Sequence, residues 1–180
     1  MSSLLPDLQQ DFFALFNIPR HYRLDVASLE RNYRNLQSQV HPDKFAHLSE
    51  SERRLSMQWA TRVNEGYQTL RDPLARARYL LSLHGVDTQE ESNTEMPLDF
   101  LMQQMEWRET LDEGRRAKDS TVLEEMEQRM QHTRSALEQE LARDIDDARD
   151  FAAASGIVRK LKFLEKLAEE IGSAFDELDS

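Results

Sequence analysis

The chain has 180 residues, 32% of them charged and 39% hydrophobic, with 5 Gly, 5 Pro and no Cys. That length allows one large domain or two small ones, and the composition is that of a folded, mostly helical chain. The lack of cysteine excludes a disulfide framework, a thiolate-ligated zinc site and a thiol nucleophile, and the net charge of -11 argues against nucleic acid as a partner, because displacing phosphate counterions needs a cationic surface.

The opening "MSSLLPDLQQDFFALF" has no basic stretch ahead of an apolar one, and no apolar run approaches the roughly 18 residues of a membrane span. No membrane partner is expected, and the default location is the cytoplasm. Charge is uneven: residues 1–84 hold 11 Lys/Arg against 9 Asp/Glu, whereas residues 85–180 hold 12 against 25. The asymmetry points to two units with different partners.

The first expected element, "DFFALFNIP", is a short apolar helix stopped by Pro19. Asp25 is positioned as the N-cap of a run from Val26 in which Leu29, Tyr33, Leu36 and Val40 share a face, with Arg31, Arg34, Asn35 and Ser38 opposite. Pro42 disfavours helical geometry at His41 and ends that helix. A second run begins near Ser49, with Leu55, Ala60, Val63, Tyr67 and Leu70 as its expected buried positions, and stops before Asp72-Pro73. With a further short helix over 74–84, the two long runs form an antiparallel helical hairpin.

The polar segment 85–97 opens on Gly85 and closes on Pro97, which marks it as a linker. Three long helical patterns follow, about 98–118, 120–147 and 150–178. The second repeats Leu123, Met126, Met130, Leu137, Leu141 and Ile145, and the third Ile157, Leu161, Leu164, Ile171, Phe175 and Leu178. One three-helix core is the economical reading. "RDIDDARD" reads as a solvated junction between the last two helices. The fold class is therefore all-α, with domains 1–84 and 98–180 joined by 85–97.

His41-Pro42-Asp43 lies in the hairpin turn. No nucleophile or oxyanion donor accompanies the pair, so no catalytic use is assigned. His21, His47, His84 and His132 lack metal-ligand spacing, and no glycine loop for phosphate is present. Neither a metal nor a cofactor is expected, and no enzymatic activity.

"LERNYRNLQSQVHPDKF" (29–45) and "VNEGYQTLRDPLARARY" (63–79) resemble a J-domain, the module that recruits DnaK-type chaperones. The resemblance implies that His41, Pro42, Asp43 and Lys44, with Arg31 and Arg34, engage such a chaperone and stimulate its ATPase. Proline restricts the turn, so both polar side chains are presented at reduced entropic cost, and the carboxylate suits an Arg of the partner. Asn35 and Ser38 stand where many J-domains are more basic, and Gly66 where the family tends to have Ala, at a cost of about 1 kcal/mol in a helix interior.

The chain lacks the glycine-rich segment and cysteine repeats of general J-proteins. Taken with "RARYLLSLHG", "FLMQQMEWRETLDE" and "VRKLKFLEKL", it resembles over its full length the iron-sulfur cluster co-chaperones of the HscB type. At about 100 degrees per residue, the helix from Leu98 carries Phe100, Gln104, Trp107 and Leu111 on one face and Leu98, Leu101, Met102 and Met105 on the other. Either the second face is an exposed patch rimmed by Glu106, Glu109 and Glu113, or both faces are buried; periodicity leaves this open. Phe163 lies about 200 degrees from Leu161 and points away from the core stripe of its own helix.

The resemblance selects Leu101, Met102, Met105, Glu106, Glu109, Glu113 and Phe163 as the surface for an IscU-like iron-sulfur scaffold protein, which an HscA-like chaperone would then receive. Met105 and Trp107 stand where related sequences often have Leu. A J-protein serving other clients, and a structural helical adaptor without chaperone activity, are the competing readings.

Overall fold

A computed structural model describes residues 9–45, 49–90, 92 and 95–178. Within them the protein is helical, with no strand. It divides into two compact units, residues 1–80 and 81–180.

In the first unit α1 (Phe12–Leu15) is capped by Asp11, whose carboxylate accepts from the Ala14 N–H and pairs with Arg20. It ends at Asn17, whose left-handed backbone (φ 51°) stops it two residues before Pro19, the expected stop; Asn tolerates this conformation better than most residues. α2 (Val26–Val40) starts at the expected cap, Asp25, which accepts from the Ala27 N–H at 3.1 Å. α3 (Glu50–Arg71) opens with a capping box between Ser49 and Glu52, which satisfies two N-terminal donors at once. α2 and α3 pack as a hairpin, with Leu29 and Val40 buried and the rings of Tyr33 and Tyr67 stacked 4.0 Å apart. The tyrosines are half-buried, and Tyr33 donates to Asn64 Oδ1 at 2.9 Å.

The buried stripe of α3 is Ser56, Trp59, Val63, Gly66 and Leu70, which includes the expected Val63 and Leu70 but not Leu55, Ala60 or Tyr67. Leu55 is 38% exposed, while Ala60 and Tyr67 are half-buried. Two small residues explain the offset. Ser56 is buried because its hydroxyl donates to the Val40 carbonyl at 2.9 Å. Gly66 is buried because its bare backbone admits the Phe12 and Phe16 rings; a Cβ there would lie 2.8 Å from Phe12 Cδ1 and 3.0 Å from Phe16 Cε2. α4 (Pro73–Leu83) follows Asp72, and the division between the units falls within it.

The second unit is a bundle of α5 (Leu98–Ala117), α6 (Ser120–Ala142) and α7 (Phe151–Leu178). The α5–α6 turn is closed by Lys118 in left-handed geometry (φ 50°) and by Asp119, which caps α6 by accepting from the Thr121 and Val122 N–H groups. The five expected positions that fall in α6, Leu123, Met126, Met130, Leu137 and Leu141, are buried, as are Ile157, Leu161, Leu164 and Ile171 of α7, whereas Phe175 and Leu178 are half-buried near its end.

The junction expected over "RDIDDARD" is a π-helical turn, Arg143–Ala148, that buries Ile145 and ends at Arg149 (φ 55°). Burial, reinforced by Glu140 and Asp150, holds the Asp144 carboxyl above its ordinary value. The segment 85–90 is not a free strand of chain. Thr88 O accepts from Ser155 Oγ at 3.4 Å and from Arg159 Nη1 at 3.1 Å, and the His84 ring stacks on Phe151 at 4.2 Å. Residues 91, 93 and 94 of the expected linker, and His47, lie outside the described residues.

Candidate functional site

The tip of the hairpin is built by the end of α2. His41 is extended (φ -60°, ψ 129°), as a residue before proline requires, and the Pro42–Phe45 turn closes with the Lys44 N–H donating to the His41 carbonyl at 3.0 Å. Ending α2 here leaves its last carbonyls without helical partners, and the Ser56 hydroxyl of α3 donates to one of them, that of Val40. This positioning residue had no sequence signature beyond its spacing from Trp59 and Val63.

The structure brings His41 and Asp43 together, although nothing in their spacing required it. The Asp43 N–H donates to His41 Nδ1 at 3.3 Å, and Asp43 Oδ2 lies 3.6 Å from the same nitrogen. The side chains of His41 and Asp43 are 55% and 91% exposed. Arg31, Arg34 and Lys44 are exposed as well; Arg31 donates to Ser28 Oγ at 2.8 Å, and Arg34 lies 3.6 Å from Glu30.

In the second unit the two-faced α5 resolves clearly. Phe100, Trp107 and Leu111 are buried, joined by Gly114. Leu98, Leu101, Met102 and Met105 are exposed at 73, 39, 63 and 66%, an apolar cluster of the kind that marks interaction surfaces. Glu106, Glu109 and Glu113 are also exposed.

The face has two flanks. Toward α7, Arg108 and Arg115 lie 3.9 Å from Glu170 and Glu177. Toward α6, Glu106 pairs with Arg129 at 3.0 Å. Met102, Met105, Glu106 and Glu109 line an open groove on the α6 side, closed by Thr133 and Leu137, whereas Leu101, Glu113 and Phe163 are not in its lining. Phe163 is half-buried: its ring meets Phe100 edge-on at 5.9 Å and stacks on Trp107 at 6.3 Å, so it packs against the buried side of α5. Among the described residues no cluster of three or more His, Asp or Glu is arranged to hold a metal ion, and no helix is long and apolar enough to cross a membrane.

The family described as the HSCB C-terminal oligomerisation domain matches residues 96–172. The co-chaperone protein HscB homolog of Aromatoleum aromaticum is 55% identical over 174 residues, which is 97% of this chain and 98% of that one. The homolog from Azoarcus sp. is 50% identical over the same shares. The chain belongs to the HscB co-chaperone family. Among solved structures, HscB from Vibrio cholerae superposes with a TM-score of 0.82 at 35% identity, over 94% of this chain and 99% of that one. Human co-chaperone HscB gives 0.86 at 34% identity, over 93% and 83%.

HscB structures join a J-domain to a C-terminal helical domain, and the all-α architecture expected from the sequence is that of the family. It is a family of co-chaperones that serve iron-sulfur cluster assembly, with chaperone and scaffold partners, and not a family of enzymes.

Proposed function

We propose that this protein binds an IscU-like iron-sulfur scaffold through the exposed face of α5, delivers it to an HscA-like chaperone of the DnaK type in the cytoplasm, and stimulates that chaperone's ATPase through the hairpin tip. Residues 1–84 act as the J-domain, 85–97 as the connection and 98–180 as the scaffold-binding domain. The observation that carries this reading is the apolar strip Leu98–Leu101–Met102–Met105 on a helix whose other face already fills the bundle core. Methionine suits an apolar surface that must adapt to a partner. The Glu106, Glu109 and Glu113 rim fixes register against basic groups, and Leu101 completes the surface together with the half-buried Phe163, which backs α5 through Phe100 and Trp107. His41, Pro42, Asp43 and Lys44 contact the chaperone, with Arg31 and Arg34 steering the encounter.

ATP turnover by the HscA-like chaperone, measured with and without this protein and the scaffold, tests the reading. The wild-type chain should accelerate turnover further when scaffold is present. His41→Gln should abolish stimulation while retaining the helical signal and scaffold binding. Normal stimulation by His41→Gln would make the tripeptide incidental, and no stimulation by the wild type would remove the co-chaperone activity proposed here.

A further inference from the structure

The groove beside the apolar strip has a second wall that the α5 residues alone do not define. Met102 and Met105 form one side, and the other comes from Thr133 and the buried Leu137 of α6, with about 890 Å³ of open space between them. Lys160 of α7 reaches the same groove and sits 5.5 Å from the centroid of the Phe100 ring. Thr133 donates its hydroxyl to the Arg129 carbonyl of its own helix at 3.1 Å. Its one O–H donor is thereby satisfied within α6. The rim is acidic, with Glu109 exposed and Glu106 held in place by Arg129.

We infer that α6 supplies half of the scaffold-binding site: the groove between α5 and α6, through Thr133 and Leu137, takes an apolar side chain of the scaffold that is flanked by Lys or Arg. This rests on the reading of the α5 face as the scaffold surface. Two features select that occupant. The groove shares Met102, Met105, Glu106 and Glu109 with the proposed scaffold surface, so a partner seated on the strip overlies it. Met102, Met105 and Leu137 suit an apolar anchor, and the carboxylates of Asp99, Glu106 and Glu109, which outnumber the Lys160 ammonium in the same lining, suit a basic neighbour. A basic scaffold residue must meet Glu109 directly and meet Glu106 in competition with Arg129, so Arg129 sets the cost of the second contact.

Calorimetric titration of the purified scaffold into the full chain tests this. Thr133→Arg fills the groove while leaving the α5 sequence unchanged and should weaken Kd at least tenfold, with the melting temperature unchanged. A second measurement uses the absence of cysteine in the chain. Thr133→Cys carrying a bimane label should shift to the blue on addition of scaffold, whereas a label on Ser135→Cys, about 200 degrees around the helix, should not. Unchanged affinity in Thr133→Arg, or an unmoved Thr133 label at saturating scaffold, overturns the α6 wall. If those results accompany lost binding in Met102→Ala/Met105→Ala, the α5 site stands without the groove. If the double variant also binds normally, the scaffold reading fails with it.

Discussion

Gly66→Ala separates two physical effects of opposite sign. On helix propensity alone, alanine in the interior of α3 should stabilise the protein by about 1 kcal/mol. The structure predicts the reverse. The added Cβ would sit 2.8 Å from Phe12 Cδ1, 3.0 Å from Phe16 Cε2 and 3.1 Å from Phe12 Cγ, against an optimal carbon–carbon separation of about 3.5–4.0 Å. The Phe12 ring is not free to yield. It stacks on Tyr79 with centroids 4.7 Å apart, has the Arg62 guanidinium 4.9 Å from its centroid, and its backbone N–H donates to the Tyr79 hydroxyl at 3.0 Å.

Overpacking of this kind costs about 1–3 kcal/mol. Set against the propensity gain, the net effect is a loss of about 1 kcal/mol, which lowers the melting temperature by about 4–8 °C for a domain of about 60–100 residues. Gly172→Ala is the matched control, because nothing lies within 4 Å of a Cβ at that exposed position in α7. It should stabilise by about 0.5–1 kcal/mol. Urea unfolding followed by circular dichroism measures both. A stabilised Gly66→Ala, of the same sign as Gly172→Ala, would refute the argument that close approach of α1 demands glycine.

Replacing Leu101, Met102 and Met105 together by Ala should cost several kcal/mol in scaffold affinity, since apolar anchors at an interface centre are worth about 1–4 kcal/mol each and rarely add fully. The melting temperature should barely move, because these side chains are 39–66% exposed; a collapse of the melt would show that they are core. Ser56→Ala leaves the Val40 carbonyl without its partner and should cost about 1–2 kcal/mol of stability. The same change should reduce ATPase stimulation by loosening the tip, and full stimulation in a measurably destabilised variant would detach Ser56 from the tip. At Asp11, burial raises the carboxyl pKa but is outweighed by the Ala14 N–H and Arg20, so its folded value lies below the ordinary one. Its stabilising contribution is present above the ordinary carboxylate range and is lost as pH falls through the folded value. Asp11→Asn should therefore lose less stability on acidification than wild type, and parallel curves of urea midpoint against pH would exclude that role.

Where a local rule was decisive, the sequence by itself determined the outcome. Asp25 starts α2 because its side chain accepts from an amide two residues on, and His41-Pro42 ends it because proline excludes helical geometry before it. The α6 stripe is legible because a 3.6-residue repeat of large apolar residues has one buried solution. The family was legible too, since the tripeptide, its flanking helices and the acidic bundle occur in order.

Val63 and Leu70 of α3 were legible as core, but only tertiary structure decided the burial of Ser56 and Gly66. Ser56 and Gly66 carry no apolar signal, and they are buried because of what α2 and α1 bring to them, a helix-end carbonyl in one case and two phenylalanine rings in the other. The same holds for α5. Its two faces are equally apolar in sequence, and packing chose the one whose Phe100, Trp107, Leu111 and Gly114 fit against the bundle, leaving the methionines outside. The groove formed with Thr133 and Leu137 was invisible for a related reason. It joins residues about thirty positions apart, and a period within one helix carries no information about which neighbour that helix will meet.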